Sequence, residues 1–243
     1  MKFQIVSDIH IERDNSNRVD IVKSAPNIII AGDLGNIQDF KRYTSFLRSI
    51  CKAYDNVFLV PGNNEFYTNQ FYTYHYLNAK LNQFCKTIPN LFYLNDKCIE
   101  FEGIRIYGTI LWSNIPNENK YEQFLPIKDD CGKPITADWI NMMNKSSLED
   151  LTNHLGSEDT KKLLVISHYA PTFKHTLTSD HLVSRKRFFY SNKLDHLLSD
   201  KNVHTWVYGH THVNSDFISE GGTRVVSNQY RGKGYLNNKT ITI

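Results

Sequence analysis

The chain has 243 residues, of which 40% are hydrophobic and 22% charged, with a formal net charge of +3. A chain of this length buries roughly 70–75% of its unfolded surface, so a core forms without disulfides. The charge is too small to argue for a membrane surface or a long polyanion.

No run approaches ~18 uninterrupted apolar residues, the length that reads as a membrane span. The opening MKFQIVSDIH has a short apolar run cut by Asp8, which is not signal-peptide architecture. Cys51, Cys85, Cys98 and Cys131 form no C-x-x-C pair. They read as free thiols of a reducing compartment, so a cytoplasmic location is expected.

In chain order, the first strand candidate is Phe3-Gln4-Ile5-Val6, which runs into Ser7-Asp8. Asn27 to Ala31 runs into Gly32-Asp33, and a helical face with apolar residues at 40, 43, 46, 47 and 50 follows over Asp39 to Tyr54. Val57 to Val60 runs into Pro61-Gly62, and Asn69 to Phe84 reads as a second helix. Cys98 to Glu102 turns at Gly103 into Ile104 to Tyr107, a hairpin signal. The least regular stretch, about 113–135, has prolines at 116, 126 and 134 and reads as a flap or insertion.

Thr136 to Leu155 reads as a helix with Thr136 as N-cap and Gly156 as stop. Leu163 to Ile166 runs into Ser167-His168, and Asn192 to Leu198 is a shorter helix candidate. Thr205 to Tyr208 runs into Gly209-His210, a hairpin pairs Phe217-Ile218 with Arg224 to Val226, and Thr240 to Ile243 closes the chain as a strand. Nearly continuous apolar strands are buried on both faces. The pattern predicts one α/β domain over 1–243 with a mixed sheet or two packed sheets.

Five of these strands end in metal-capable side chains, and strand ends in α/β sheets are where ligands are held. Asp8-x-His10 supplies a carboxylate and an imidazole two residues apart, Asp33 a carboxylate, Asn63 an amide oxygen, His168 an imidazole, and His210-x-His212 two more. Seven groups exceed the four to six ligands of one transition ion. They fit two ions if Asp33 bridges. Oxygen and imidazole donors without thiolate suit Mn, Fe, Zn or Ni, with Mn favoured. Two such ions polarise a phosphoryl group and activate a bridging hydroxide for attack on it. Each motif alone is weak: D-x-H and G-D are ordinary turns, and a lone histidine is more often structural. Gly-His-Thr-His is the most specific single motif, and the discriminating feature is the ordered set at five strand ends.

D-x-H, G-D, G-N-x-E, x-H and G-H-x-H in this order resemble the calcineurin-like metallophosphoesterases, over Asp8 to His212. The flanks YGTILWSN, ISHYAP and GTRVVSNQYRG resemble a branch of small members. The resemblance implies a four-layer αββα sandwich of two mixed β-sheets flanked by helices. It implies Asp8, His10, Asp33 and His212 around one divalent cation, and Asp33, Asn63, His168 and His210 around a second. It implies hydrolysis of a small phosphomonoester or phosphodiester by a metal-bridging hydroxide.

One position departs. The family usually has His after the metal-binding Asn, over the substrate phosphate, where it protonates the leaving oxygen; here Asn64 stands there. An amide donates a hydrogen bond but has no pKa near 7. Some branches carry Cys at this position, so His is not mandatory. Three readings stay open: a substitution introduced by design to trap a ligand, a natural variant that still turns over, and a natural binding or scaffold protein that does not hydrolyse its phospholigand.

Substrate signals are weaker. Arg185, Lys186 and Arg187 precede Phe188, Phe189 and Tyr190, a run that can grip phosphate and stack a base, or form a solvated turn. Arg231 and Lys233 follow the late hairpin, and His175 and His181 lie on the loop after His168. The chain leaves little room to read long nucleic acid, so a small nucleotide-type substrate is expected.

Overall fold

A computed structural model describes residues 1–13, 19–119, 125–155 and 161–243. Among the described residues, eleven strands and four α-helices follow one another as β1 (Lys2–Val6), β2 (Asn27–Ala31), α1 (Phe40–Ala53), β3 (Asn56–Val60), α2 (Tyr74–Cys85), β4 (Leu91–Tyr93), β5 (Lys97–Phe101), β6 (Ile104–Thr109), α3 (Ala137–Leu155), β7 (Leu163–Ser167), α4 (Ser179–Val183), β8 (Val203–Tyr208), β9 (Asp216–Ile218), β10 (Arg224–Ser227) and β11 (Thr240–Thr242). They form a five-stranded sheet ordered β11-β1-β2-β3-β4 and a six-stranded sheet ordered β5-β6-β7-β8-β10-β9. Both sheets are mixed: β11, β5 and β9 pair antiparallel to their neighbours and the other pairings are parallel.

The two-residue period of a strand decides the layers. Phe3, Ile5, Ile29, Ala31, Phe58 and Val60 of the first sheet meet Ile106, Leu164, Ile166, Val207 and Val226 of the second. Phe58 sits centrally, 5.6 Å from Phe3 and 5.0 Å from both Phe92 and Phe101 between ring centroids. The alternate residues Ile28, Ile30, Val57 and Leu59 face outward onto Tyr43 and Leu47 of α1 and Leu77 and Leu81 of α2. On the far side Leu163, Val165, Trp206 and Tyr208 pack against Leu151 and Leu155 of α3. The result is four layers, αββα. Each fully buried Leu, Ile or Phe contributes about 1.5–3 kcal/mol by leaving water.

The helices begin where local chemistry caps them. Asp39 accepts from the Arg42 N–H at 3.1 Å and Thr73 from the Tyr76 N–H at 3.3 Å. The second helix therefore starts at Tyr74, past the irregular residues 69–73. Thr136 accepts from the Trp139 N–H at 3.2 Å; Gly156, expected to stop this helix, lies outside the described residues. The expected helix over Asn192 to Leu198 reduces to a 3-10 turn at Leu197–Ser199. The Asn192 amide instead donates to the carbonyls of Leu111 and Trp112, which anchors the loop below α3. Strand β4, only three residues long, was too short to show a period. In the irregular stretch, Ile115, Leu125, Ile127 and Ile135 are buried against the α1/α2 side of the core, and residues 120–124 lie outside the described set.

Candidate metal centre

Parallel strands align their C-terminal ends, so Asp8 after β1, Asp33 after β2, Asn63 after β3, His168 after β7 and His210 and His212 after β8 collect at one edge. Backbone bonds lace these loops together. The Asp8 N–H donates to the Gly32 carbonyl and the His10 N–H to the Asp33 carbonyl, both at 3.0 Å. The Gly209 N–H donates to the His168 carbonyl at 2.9 Å. Asp8, His10, Asp33, His210 and His212 all have left-handed backbone, with φ between 50° and 71°. A non-glycine residue there is strained, and such strain concentrates at functional sites. Gly62 shows the crowding: a Cβ on it would lie 2.2 Å from Asp33 Oδ1 and 2.7 Å from His168 Nε2.

Two clusters result, Asp8 with His10 and His212, and Asp33 with His168 and His210; within each, the ligand-capable atoms lie within 4.8 Å of one another. Asp33 faces both. Its Oδ1 is 3.4 Å from His168 Nε2 and its Oδ2 is 3.5 Å from His10 Nε2. The Asn63 Oδ1 is 3.1 Å from His168 Nε2, while its amide nitrogen donates to the Tyr67 hydroxyl at 2.7 Å, which turns the oxygen inward. His212 Nε2 lies 3.8 Å from Asp8 Oδ1. Outer partners fix the imidazoles, as metal-binding histidines require. His168 Nδ1 is bonded to the Ala31 carbonyl at 3.0 Å, and His210 Nε2 to the Phe189 carbonyl at 3.0 Å. His10 Nδ1 is bonded to Glu12 at 3.0 Å. His10 Nε2 is buried with no hydrogen-bond partner. An orphaned imidazole nitrogen facing a buried carboxylate fits a cation between them.

The electrostatics agree. Burial opposes the charge on Asp33, but His168 and His10 hold its carboxyl well below the usual range. Burial also opposes a charge on His168, yet Asp33 prevails and lifts the imidazole to about 9. His210 falls to about 3, through burial and the neighbouring His168 charge. Without a cation, the cluster keeps a proton on His168, which a metal bound there would displace.

Three supporting residues were assigned no role from the sequence. Glu65 accepts from the N–H groups of Asp33, Leu34 and Gly62 at 3.0, 2.8 and 2.8 Å, tying the β2 and β3 loops to each other. Gln229 accepts from the His212 N–H at 2.5 Å and donates to Thr211 at 3.0 Å. Glu12 accepts from His10 and from the Asn64 amide, the latter at 2.9 Å. Glu65 is the glutamate of the G-N-x-E motif, and Glu12 continues the two-residue spacing of Asp8 and His10. Gln229 lies in the GTRVVSNQYRG flank, but its bonds to Thr211 and His212 join segments that spacing does not connect.

The expected substrate residues divide. The Arg231 guanidinium donates to the carbonyls of Ile9 and His10 at 3.2 Å, beside the first cluster. The Arg187 guanidinium lies over the rings of Phe173 and Phe188 and donates to the Leu182 carbonyl. Arg185 opens the same 3-10 helix, Arg185–Phe189, whose last carbonyl holds His210. His181 stacks on Tyr190 at 4.5 Å, and Tyr190 lies 5.6 Å from His210. His175 is not brought to the clusters. It faces Phe217 at 4.9 Å in a separate cavity of about 330 Å³.

The calcineurin-like phosphoesterase family model matches residues 1–214. The chain is 30% identical over 244 residues to the uncharacterized protein L509 of Acanthamoeba polyphaga mimivirus, covering 89% of this chain and 86% of the relative. Its fold is similar to a phosphopantetheinyl hydrolase from Mycobacterium tuberculosis, with a TM-score of 0.69 at 17% identity over 96% of this chain and 89% of the other. A dimetal phosphatase from Danio rerio gives 0.53 at 13% identity, over 93% and 86%. The ordered ligand set, the αββα layers and the family match agree, and the chain belongs to the calcineurin-like phosphoesterase family.

Proposed function

We propose that this chain is a metal-dependent phosphoesterase that holds two divalent cations and hydrolyses a small phosphorylated, nucleotide-type substrate. The observation that carries the reading is Asp33, whose two oxygens face two separate imidazole and carboxylate clusters. Asp8, His10 and His212 would hold one cation with Asp33, and Asn63, His168 and His210 the other. Bound there, the cations would neutralise the phosphoryl oxygens and lower the pKa of water. The oxygen and imidazole donors support Mn first, then Fe, Zn or Ni.

The chain's own residues do the rest. Asp33, fixed by the Asn64 N–H at 2.9 Å, orients both halves of the centre. Glu65 and Gln229 hold the loops rigid, so the ligands need no reorganisation when substrate arrives. Arg231 offers a positive charge beside the Asp8 cluster for a phosphate, and Tyr190 with His181 offers a flat face for a base. Asn64 can donate to a phosphoryl oxygen but cannot supply a proton. Two free cysteines buried in the core, Cys51 and Cys85, support a reducing, cytoplasmic setting.

The test pairs metal content with turnover of an aryl phosphodiester. The protein is expected to bind two cations and to cleave the ester, and Asp33→Ala to lose both cations and turnover together. Cation-free protein after metal reconstitution would end the reading. A second reading, a phospholigand-binding or scaffold member without turnover, is favoured by Asn64. Metal and ligand binding with no hydrolysis would select it.

A further inference from the structure

We propose that the site is matched to phosphoanhydrides, the linkage of nucleoside diphosphate derivatives, in preference to esters of alcohols. The inference rests on the phosphoesterase reading and comes from what surrounds Asn64.

Asn64 is buried and held by two hydrogen bonds. Its N–H donates to Asp33 Oδ1 at 2.9 Å, and its side-chain nitrogen donates to Glu12 Oε1 at 2.9 Å. A carboxylate accepts only, which fixes the orientation of the amide. The same Glu12 oxygen is held by His10 Nδ1 at 3.0 Å. Position 64 therefore holds a neutral side-chain amide bound to the Glu12 carboxylate, while its backbone N–H is bound to Asp33. Neither Asn64 nor the groups it touches offers a proton: the amide does not titrate, and both neighbouring carboxylate oxygens already serve as acceptors.

The chemistry of the leaving group then decides the substrate. In hydrolysis, water forms a new P–O bond and gives up a proton to solvent. The old P–O bond breaks, and its electron pair stays on the departing oxygen. If that oxygen belonged to an alcohol, it would leave as an alkoxide, about as basic as hydroxide, whose parent water has a pKa of about 15.7. Such a group needs a proton as it leaves, and a positioned acid there is worth about 10²–10⁴-fold. If the oxygen belonged to a second phosphate, it would leave as a phosphate anion whose conjugate acid has a pKa of about 6. That anion departs without a proton donor. A site with no acid at this position but every metal-capable residue in place slows the first reaction and retains the second.

The test compares two substrates with the same nucleosides. One is a dinucleoside 5′,5′-diphosphate, joined by an anhydride. The other is a dinucleoside monophosphate, joined through a ribose oxygen. The metal-loaded protein is expected to favour the anhydride by at least about 10²-fold in kcat/KM. Asn64→His should lower that ratio by a similar factor, because it restores a proton donor that only the alkoxide needs. A series of aryl phosphodiesters on the unaltered protein gives a second reading that needs no variant. Rates should rise steeply as the phenol becomes more acidic.

Equal turnover of both dinucleotides, or a flat aryl series, would overturn the proposal while leaving the phosphoesterase reading intact. So would cleavage of the aryl diester with no cleavage of the anhydride. Absence of bound metal together with absence of aryl-diester cleavage would overturn both.

Discussion

Asp33 and His168 set the proton inventory of the centre before any cation arrives. His168 is lifted from an ordinary value near 6.5 to about 9 by Asp33, against its burial. Burial and Asp33 also push Glu65 up to about 8. A raised pKa means that the folded chain binds more protons than the unfolded one at intermediate pH. The contribution of His168 is complete below about 6.5 and is lost as pH rises through about 9. Glu65 acts in the same direction between about 4.5 and 8. His210 acts in the opposite direction, but between about 3 and 6.5. Above pH 6.5, therefore, the metal-free protein is expected to lose thermal stability as pH rises to 9, read as a falling Tm in chelator-treated samples. Metal affinity should rise over the same window, because the cation displaces the His168 proton. Calorimetry in two buffers of different ionisation enthalpy would register that proton. A flat Tm from pH 6.5 to 9 would refute the account.

At the scale of elements, the centre depends on loops forced together at strand ends. Gly62→Ala would drive a Cβ to 2.2 Å from Asp33 Oδ1. It should reduce bound metal strongly while the far-UV circular dichroism stays that of the parent, since β3 and α2 lie outside the clash. The strands need their two-sided burial. Leu164, in the middle of β7 and fully buried between the sheets, packs in the core that joins them. Leu164→Ala is expected to cost about 2–5 kcal/mol in urea unfolding. A loss below 1 kcal/mol would mean that the two sheets collapse onto the gap.

On the whole-molecule scale, the candidate ligands come from both sheets: Asp8, Asp33 and Asn63 follow strands of the first, and His168, His210 and His212 follow strands of the second. Cations held there would staple the sheets at one edge. Stabilisation by a ligand that binds only the folded state grows with its concentration, to about 2.7 kcal/mol at one hundred times Kd. Chelation should lower Tm, and adding back Mn should restore it in proportion to the logarithm of its concentration. Identical Tm values with and without metal would place no cation in the folded protein.

The sequence by itself determined the buried strands and the candidate ligands that follow them; the four layers came from the resemblance to the family. Val57 to Val60 and Leu163 to Ile166 are apolar on both faces, and a strand with that pattern must lie between two packed layers. Asp8, His10, Asp33, Asn63, His168, His210 and His212 each follow the end of such a strand, so parallel pairing lines them up within each sheet, and the packing of the two sheets brings the two rows together. The sequence did not determine what only long-range geometry creates. The run from Asn192 to Leu198 read as a short helix, but the Asn192 amide is spent on Leu111 and Trp112, about eighty residues away in the chain. His175 is near His168 in sequence and faces Phe217 instead, because the chain turns between them. The pairing of Asn64 with Glu12 spans 52 positions. Period and propensity report on neighbours within one element; hydrogen bonds between loops report on how elements meet. The doubled asparagine at 63 and 64 was legible as one fitting residue and one misfit, and the fold decided that the misfit is held in place by a carboxylate.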